Sequence, residues 1–393
     1  MYDSVNFYLE EDQFTLESEK FFDGKKTNKI DGRYDSETIF IKGIRENMIN
    51  NKKYYPSVNL TYKTIGNKII GKKKVRRLEL QTSIPKTCYG TNKFETSSIV
   101  DQNLFLKRTN EYLKMAKVSI DVKRLENNSV LTGLAFPKSI ILPAYFGTAE
   151  QVIKKIAPFD YKPRSKFRFR EYGDEWEGIY IKLFNPTRGF GAYCKYSEIL
   201  NKGYTLIEEE IKRQVLEGRQ AKNEIRFELT SQKKQSLDAI LSRFIPEKKK
   251  NFTLHDIFMH KDISQKLLLE QFDEVFNSIN ITLITLSEMK ENKLDYLLRS
   301  KILNFKNRAE MFYLVNMTTK IGLRQTLRQT KQELSSSTFD RLKRELKEVI
   351  DELGELGEIT PDLIGFLRSE LVRFEPIKPV AQKISCQLLL NDI

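Results

Sequence analysis

The hydrophobic pattern of this chain changes near residue 242, and the change limits the folds open to it. Before this point apolar and polar residues mostly alternate, the period of a strand with one buried face. After it, apolar residues recur every three or four positions, as on one face of a helix. We predict an α+β fold: a domain with a mostly antiparallel sheet over residues 1–245, then a helical domain over 250–393.

The pattern also predicts individual elements. In the first domain it predicts strands at residues 5–9, 38–42, 57–63, 75–81, 118–123, 166–170, 178–184, 190–195 and 224–229. Helical stretches between them are predicted at residues 101–116, 149–156 and 206–216. In the second domain the predicted helices span residues 254–259, 263–278, 287–303, 308–320, 322–333, 337–353 and 361–371.

The charge balance favours a polyanionic partner. Lys and Arg number 67 against 53 Asp and Glu, giving a net charge of +14 and a pI near 9.3. Such a surplus suits DNA, because each neutralised phosphate releases condensed counterions. The alternative is a solvated basic surface. The three cysteines are scattered, and no apolar run approaches the roughly 18 residues that cross a bilayer. We therefore expect a cytoplasmic protein.

A helix-turn-helix is predicted at residues 322–350, where a serine turn separates two helical stretches. Phe339, Leu342 and Leu346 would share one face of the second helix, and basic residues would cover much of the remainder. Arg341 and Arg344 are the predicted DNA contacts of this helix in a major groove. A helical pair with a solvated charged side is the alternative.

The residue inventory narrows the chemistry to tyrosine and carboxylates. There are two histidines, five positions apart, and no His-hydrophobic-His strand to hold a metal. No phosphate-binding loop of the GxxxxGK[ST] type occurs, so a built-in ATPase motor is not expected.

Tyr193 is the predicted nucleophile. It stands with Lys195 on a predicted strand, where both side chains would project from one face. The ammonium beside the phenol would lower the phenol pKa and stabilise charge on a phosphate under attack. Tyr180 on the facing strand and the nearby Tyr196 remain alternative nucleophiles, and a packing tyrosine beside a solvated lysine remains the structural alternative.

Two carboxylates are the predicted metal ligands. Asp121 points to the polar side of the predicted strand at 118–123, and Glu228 shares a strand face with Glu224 and Arg226. Asp121 and Glu228 could hold Mg²⁺ or Mn²⁺ through hard oxygen ligands. The alternative is a surface ion pair on an ordinary strand.

These stretches, in this order, resemble the replication initiators of filamentous phages, the gene II protein family, and more distantly the Rep-trans plasmid initiators. The likeness is carried by short stretches spread over most of the chain: YPSVNLTYK (55–63), SIDV (119–122), AYCKYSEIL (192–200), IRFEL (225–229) and, more weakly, LVRFEPIKPV (371–380). The resemblance implies that Tyr193 is the nucleophile, with Lys195 the lysine that follows it. It also implies that Arg226-Phe227-Glu228 is the family's Arg-hydrophobic-Glu strand and Asp121 its acidic strand residue. Where relatives place a glutamate in the strand after Tyr-Pro, this chain has Asn59, a weaker metal ligand.

Basic residues on other strands are predicted to track the DNA backbone. Lys166, Arg168 and Arg170 alternate with phenylalanines, which gives one cationic and one apolar strand face. Arg226 is a further predicted DNA contact. A second basic cluster, GKKKVRR at residues 71–77, fits a solvated hairpin as well as a phosphate contact.

Together these features predict a rolling-circle replication initiator that nicks one strand at the origin, forms a 5′-phosphotyrosine and later rejoins the strand. A host helicase and polymerase would supply unwinding and synthesis. Two other readings stay open: an origin-binding initiator or repressor without enzymatic activity, and a relaxase that mobilises a plasmid by the same chemistry.

Overall fold

The computed structural model describes residues 2–17, 22–27, 37–41, 52–65, 73–156, 168–172, 180–184, 187–276, 291–321, 323–355 and 363–378. Its strands, in chain order, are β1 (Ser4–Glu10), β2 (Thr15–Leu16), β3 (Phe22–Thr27), β4 (Glu37–Ile41), β5 (Ser57–Ile65), β6 (Lys73–Ser83), β7 (Val118–Ser119), β8 (Val130–Ile141), β9 (Arg168–Tyr172), β10 (Tyr180–Phe184), β11 (Arg188–Cys194) and β12 (Glu224–Ser231).

The described helices are spread over the chain and make up most of the elements in its second half. They are α1 (Ile84–Tyr89), α2 (Ile99–Met115), α3 (Val122–Asn128), α4 (Ala149–Ile156), α5 (Lys195–Lys202), α6 (Leu206–Leu216), α7 (Lys234–Leu241), α8 (Leu254–Met259), α9 (Ile263–Val275), α10 (Glu291–Lys301), α11 (Phe305–Ile321), α12 (Leu323–Glu333), α13 (Ser336–Glu355) and α14 (Leu363–Arg373).

Ten strands form one sheet in the order β3-β4-β5-β6-β1-β8-β12-β11-β10-β9. Every neighbouring pair in it is antiparallel. β2 and β7 pair separately as a short ribbon. An antiparallel sheet followed by helices confirms the predicted α+β class.

The centre of the sheet is β8, a strand that the sequence analysis missed. Its sequence contains Gly133 and Pro137, residue types that usually weaken a strand or exclude it from a sheet interior. β1 pairs with residues 130–134 of β8, whereas the sheet neighbour of Pro137 is β12. A residue without a backbone N–H is therefore tolerated at this position. Gly133 leaves little room for a side chain, because an added Cβ would stand 2.9 Å from the end of the Asn6 side chain on β1 and 3.2 Å from the Ser231 carbonyl oxygen on β12. Tertiary context therefore overrides the local signal here.

Among the described residues, the buried apolar side chains form two separate cores. The sheet core lies on the sheet and includes buried residues of α8, α9 and α14, such as Phe272, whose ring meets that of Phe227 edge-on at 5.5 Å. The helical core lies within α10–α13 and is centred on Leu298, Val315 and Leu346. We predicted that α8, α9 and α14 belong to the helical domain, whereas their apolar faces pack on the sheet core.

The helix pair predicted at residues 322–350 corresponds to α12 and α13, separated by a serine turn. Phe339, Leu342 and Leu346 are buried, as expected from their spacing, and the last two belong to the helical core. The Ser335 hydroxyl accepts a hydrogen bond from the Thr338 backbone N–H, so Ser335 caps the start of α13. Among the described residues, we find no helix long and apolar enough to cross a membrane.

Candidate active site

The candidate site lies where β11 and β12 pair. Tyr193 stands opposite Arg226 in the register, and Glu228 lies two positions along β12 on the same face as Arg226. The Tyr193 hydroxyl donates a hydrogen bond to Glu228 Oε2 at 3.0 Å. Tyr193 and Glu228 are both half-buried.

Arg226 supports the pair from within the protein. Its side chain is 0% exposed and its nitrogens donate to three groups: Asp3 Oδ2 at 3.0 Å, Ser139 Oγ at 3.0 Å and the Asn92 carbonyl at 2.6 Å. We expected Arg226 to contact DNA. The structure instead places it as an internal cation that fixes the strand face carrying Glu228.

Asp3 is a site residue that the sequence analysis missed. It is buried beside β1, and its second carboxylate oxygen accepts a hydrogen bond from Ser83 Oγ at 2.6 Å. Its backbone N–H donates to the Ala135 carbonyl on β8. Nothing in the local sequence indicates this role, because Asp3 reaches Arg226 only through the order of the strands in the sheet.

Lys195 and Glu198 form the other side of the site. Lys195 is fully buried and donates to the Glu198 carboxylate, and its ammonium lies 5.7 Å from the centre of the Tyr193 ring. The expectation that Lys195 shares a strand face with Tyr193 is wrong: β11 ends at Cys194, and Lys195 begins α5. The lysine nevertheless stays beside the tyrosine, because the helix turns it back over the ring.

The electrostatics of the phenol differ from expectation. Burial, together with Glu198 and Glu228, raises the pKa of Tyr193 well above its usual range, and Arg226 only partly opposes this. We had expected Lys195 to lower it. Lys195 is itself affected, since burial and then Arg226 lower its pKa. Tyr193 is therefore a protonated phenol near neutral pH and needs a base in order to attack.

Glu228 is placed to act as that base. Burial raises the pKa of its carboxyl, Asp3 adds to the rise, and Arg226 opposes it. A raised pKa makes the carboxylate a stronger proton acceptor than an exposed glutamate. Glu198 behaves differently: burial works to raise its pKa, but Lys195, Arg226 and Lys86 together oppose burial, and the net pKa is lowered. The site thus holds one carboxylate suited to accept a proton and one suited to stay charged.

A second layer of contacts ties the site to the end of the described chain. The Ser139 backbone N–H donates to Glu95 Oε1 at 2.6 Å, and Lys138 Nζ lies 3.2 Å from Glu95 Oε2, with both side chains buried. Lys138 Nζ also donates to the Glu375 carbonyl at 2.8 Å, and the Ile377 N–H donates to Glu95. Residues 374–378 therefore pack against the strand that supports Arg226.

Asp121 lies elsewhere, and its predicted strand is wrong. The strand there is only β7, and Asp121 is the exposed N-cap of α3, accepting hydrogen bonds from the N–H groups of Lys123 and Arg124. Its carboxylate satisfies the free end of a helix and does not join Glu228. The two residues do not fit together as a metal site. Within the described ranges, no cluster of three or more Asp, Glu, His or Cys side chains suits a metal ion.

The other predicted residues are spread over the sheet. Asn59 lies on β5 opposite Glu79, with β6, β1 and β8 between it and β12. Arg168 and Arg170 lie on β9, the edge strand next to β10, and Lys166 lies outside the described residues. Tyr180 stands opposite Tyr193 in the register of β10 and β11. Tyr196 is buried, with the Lys93 ammonium 4.8 Å from its ring centre.

The basic face of α13 remains accessible. Lys343, Arg344 and Lys347 are exposed and line a shallow depression together with Asp340 and Glu348. Arg341 is partly neutralised by Glu345, one helical turn away at 3.1 Å. Of the two α13 arginines predicted to contact DNA, Arg344 is the more available.

Comparison with known proteins gives no relative. No family model matches the chain, and neither a curated protein nor a solved structure does.

Proposed function

We propose that this protein is a DNA strand transferase that nicks one strand with Tyr193 at a replication origin, as in rolling-circle initiation. The observation that carries the proposal is the 3.0 Å hydrogen bond from the Tyr193 hydroxyl to Glu228 in a half-buried site backed by two buried cations. A nucleophile bonded to a base, with the base held by a third group, is the arrangement that activates side-chain nucleophiles. Here the nucleophile and the base are in contact, and Arg226 supplies a buried positive charge two positions from Glu228 on the same strand face.

The reaction is a transesterification. Tyr193 Oη bonds to the phosphorus of a phosphodiester while its proton passes to Glu228, and the bond from phosphorus to the 3′ oxygen breaks. The leaving 3′ oxygen takes a proton and becomes a free 3′-OH, and the 5′ end stays on the enzyme as a phosphotyrosine. The ester keeps the energy of the original bond, so the reverse step rejoins the strand without ATP.

Cations supply the electrostatic part of the proposal. The ammonium of Lys195 lies within 6 Å of the tyrosine ring centre, and Arg226 lies directly across the strand pair. Positive charge fixed in a water-poor site stabilises the charge that builds on a phosphate during attack. Neither cation needs to reorient, because each is already held by a carboxylate.

Substrate binding is assigned to the basic surface as a whole. The net charge of +14 and the exposed Lys343, Arg344 and Lys347 face of α13 support DNA as the partner. A host helicase and polymerase would then unwind the nicked duplex and extend the 3′-OH.

A second candidate is an origin-binding initiator or repressor without catalysis. It is favoured by the raised pKa of Tyr193 and by the dense ion pairs behind it, which would serve equally to stabilise the sheet. In that case α13 would carry the function and Tyr193 would be a packing residue.

An experiment on supercoiled DNA that carries the intergenic region of the protein's own replicon distinguishes the strand transferase from the non-enzymatic initiator. The purified protein is incubated with this DNA and Mg²⁺ or Mn²⁺, and open circles and labelled DNA on the denatured protein are measured. The proposal expects a covalent adduct in the wild type and in Tyr196→Phe, and none in Tyr193→Phe. Tight binding with neither nick nor adduct would favour the non-enzymatic initiator.

A further inference from the structure

The corner between α10 and α11 exposes two large apolar side chains. Leu303 is 94% exposed and Phe305 is 75% exposed, one on each side of Asn304. Exposing two large apolar side chains to water is unfavourable, because neither gains the free energy of burial. Ile302, directly before them, packs on the helical core. The corner therefore has apolar residues that fold inward and others that project outward.

The projecting residues are held in place by hydrogen bonds. Asn304 Oδ1 accepts from the backbone N–H groups of Lys306 at 2.9 Å and Asn307 at 3.2 Å, which caps the first turn of α11. The Arg308 guanidinium lies 5.5 Å from the Phe305 ring centre and donates to the Ile302 carbonyl at 3.4 Å. The backbone of the corner is thus capped, and Arg308 links the Phe305 ring to the Ile302 carbonyl.

Positive charge surrounds the two apolar side chains. Lys301 and Lys306 are exposed on either side, and Arg308 stacks near the aromatic ring. Residues 291–350 contain nearly twice as many Lys and Arg as Asp and Glu. A partner that suits this corner has flat apolar surfaces joined by anionic groups, which is the chemistry of unpaired nucleic acid.

We propose that this corner is a stacking wedge for an unpaired DNA strand: a base stacks on Phe305, Leu303 inserts beside it, and the flanking cations contact phosphates. Apolar wedges between bases and aromatic stacking platforms are common devices of DNA-binding proteins. The inference rests on the proposed function only in taking DNA as the partner. It adds a location at which the melted strand is held. Such a location is needed because a transesterase acts on an unpaired target strand.

The test uses tryptophan fluorescence. The chain has one tryptophan, Trp176, so Trp176→Phe gives a dark background in which Phe305→Trp reports only the corner. Tyr145→Trp, at a position 67% exposed and without adjacent basic residues in the sequence, is the matched control. The probe is an oligothymidylate. We expect quenching of Phe305→Trp and no change in Tyr145→Trp.

Affinity gives the second readout. Phe305→Ala should weaken oligothymidylate binding about tenfold, in line with the 1–3 kcal/mol per stacked base found by alanine substitution. The variant should still form the adduct on an origin strand supplied unpaired. Unchanged affinity together with no quenching would overturn the inference. So would a concentration-dependent dimer that Phe305→Ala abolishes, because the corner would then be a contact between two copies.

The outcomes for the wedge and for the nuclease are separable. Tyr193→Phe should be unable to form an adduct yet should show the same quenching when Phe305→Trp is added. If the fluorescence of Phe305→Trp is quenched by DNA but the protein with Tyr193 intact never cleaves DNA, the wedge is supported and the transferase is refuted. Cleavage without quenching would do the reverse.

Discussion

Arg226 and Asp3, 223 residues apart in the chain, form a buried ion pair with a nitrogen–oxygen distance of 3.0 Å. The pair joins β12 to the start of β1 across β8, and it holds the guanidinium beneath the Tyr193–Glu228 hydrogen bond. Strand order and the geometry of the candidate site are therefore coupled, so variants of the pair should change stability as well as the proposed activity.

Removing one member of this pair should destabilise the protein strongly. For Asp3→Ala we expect a loss of about 3–5 kcal/mol in the free energy of unfolding, because Arg226 would remain buried and unpaired. Urea denaturation measures it. The control is Glu270→Ala, which breaks the exposed pair with Arg243 and should cost less than about 1 kcal/mol. The double variant Asp3→Leu/Arg226→Met should recover much of the stability that Asp3→Ala loses. Equal losses in Asp3→Ala and Glu270→Ala would contradict a special role for the buried pair.

Tyr193→Phe should abolish the covalent adduct while leaving the fold intact. It removes the attacking oxygen, and with it one hydrogen bond worth about 1 kcal/mol. Adduct formation on labelled origin DNA and thermal unfolding are the two measurements. Tyr180→Phe is a useful comparison because Tyr180 stands opposite Tyr193 on β10. If the adduct persisted in Tyr193→Phe and vanished in Tyr180→Phe, the nucleophile would be Tyr180.

Glu228→Gln should slow adduct formation about 10²–10⁴-fold, the usual contribution of a general base. In the wild type the rate should increase as the pH rises through the raised pKa of Glu228, since only the carboxylate accepts the phenol proton. This rise should vanish from the pH profile of the variant. A profile unchanged by the substitution would show that another group takes the proton.

Titration of Glu228 should also make the stability of the fold depend on pH, in the opposite sense to the rate of adduct formation. Because its pKa is raised on folding, the folded state binds the proton more tightly than the unfolded state. The contribution of Glu228 to the free energy of unfolding is therefore greatest at low pH and falls as the pH rises through the raised pKa. Urea denaturation of the wild type and of Glu228→Gln can be compared at several pH values above the pKa of the carboxyl in the unfolded chain. As the pH rises, the wild type should lose more stability than Glu228→Gln.

Asp121→Ala should affect stability and not cleavage. Loss of the N-cap of α3 should cost about 0.5–2 kcal/mol, and Asp121→Asn should restore most of it because asparagine caps equally well. Cleavage with Mg²⁺ or Mn²⁺ should match the wild type in both variants once each is folded. A loss of metal-dependent cleavage in Asp121→Asn would return this residue to the site.

The basic face of α13 should determine salt-dependent DNA affinity. Arg344→Ala should weaken binding and reduce the slope of log affinity against log salt by about 1 if it contacts one phosphate. Fluorescence anisotropy at several salt concentrations measures this. Lys266→Ala, on α9 and paired with Asp262, serves as the control. An unchanged slope would remove α13 from the DNA interface.

Several features could be predicted from the sequence because they depend on local periodicity. The alternation in β11 and β12 put Tyr193, Arg226 and Glu228 on strands, and the spacing of Phe339, Leu342 and Leu346 predicted the buried face of α13. The prediction for Asp121 was wrong because the six residues of the predicted strand at 118–123 are too few to distinguish a strand from a capped helix start. Asp121 at the start of a helix-forming stretch was the available signal.

Sequence by itself determined the α+β class, most of the strands and helices, and the basic character of the chain, since each follows from the period or composition of a continuous segment. Tertiary structure alone decided that β8 lies at the centre of the sheet, that Asp3 meets Arg226, and that Lys195 turns back over Tyr193 from a helix. It also decided the sign of the change in the Tyr193 pKa. These features depend on which distant segments become neighbours, and on how much water is excluded between them, which no local pattern encodes.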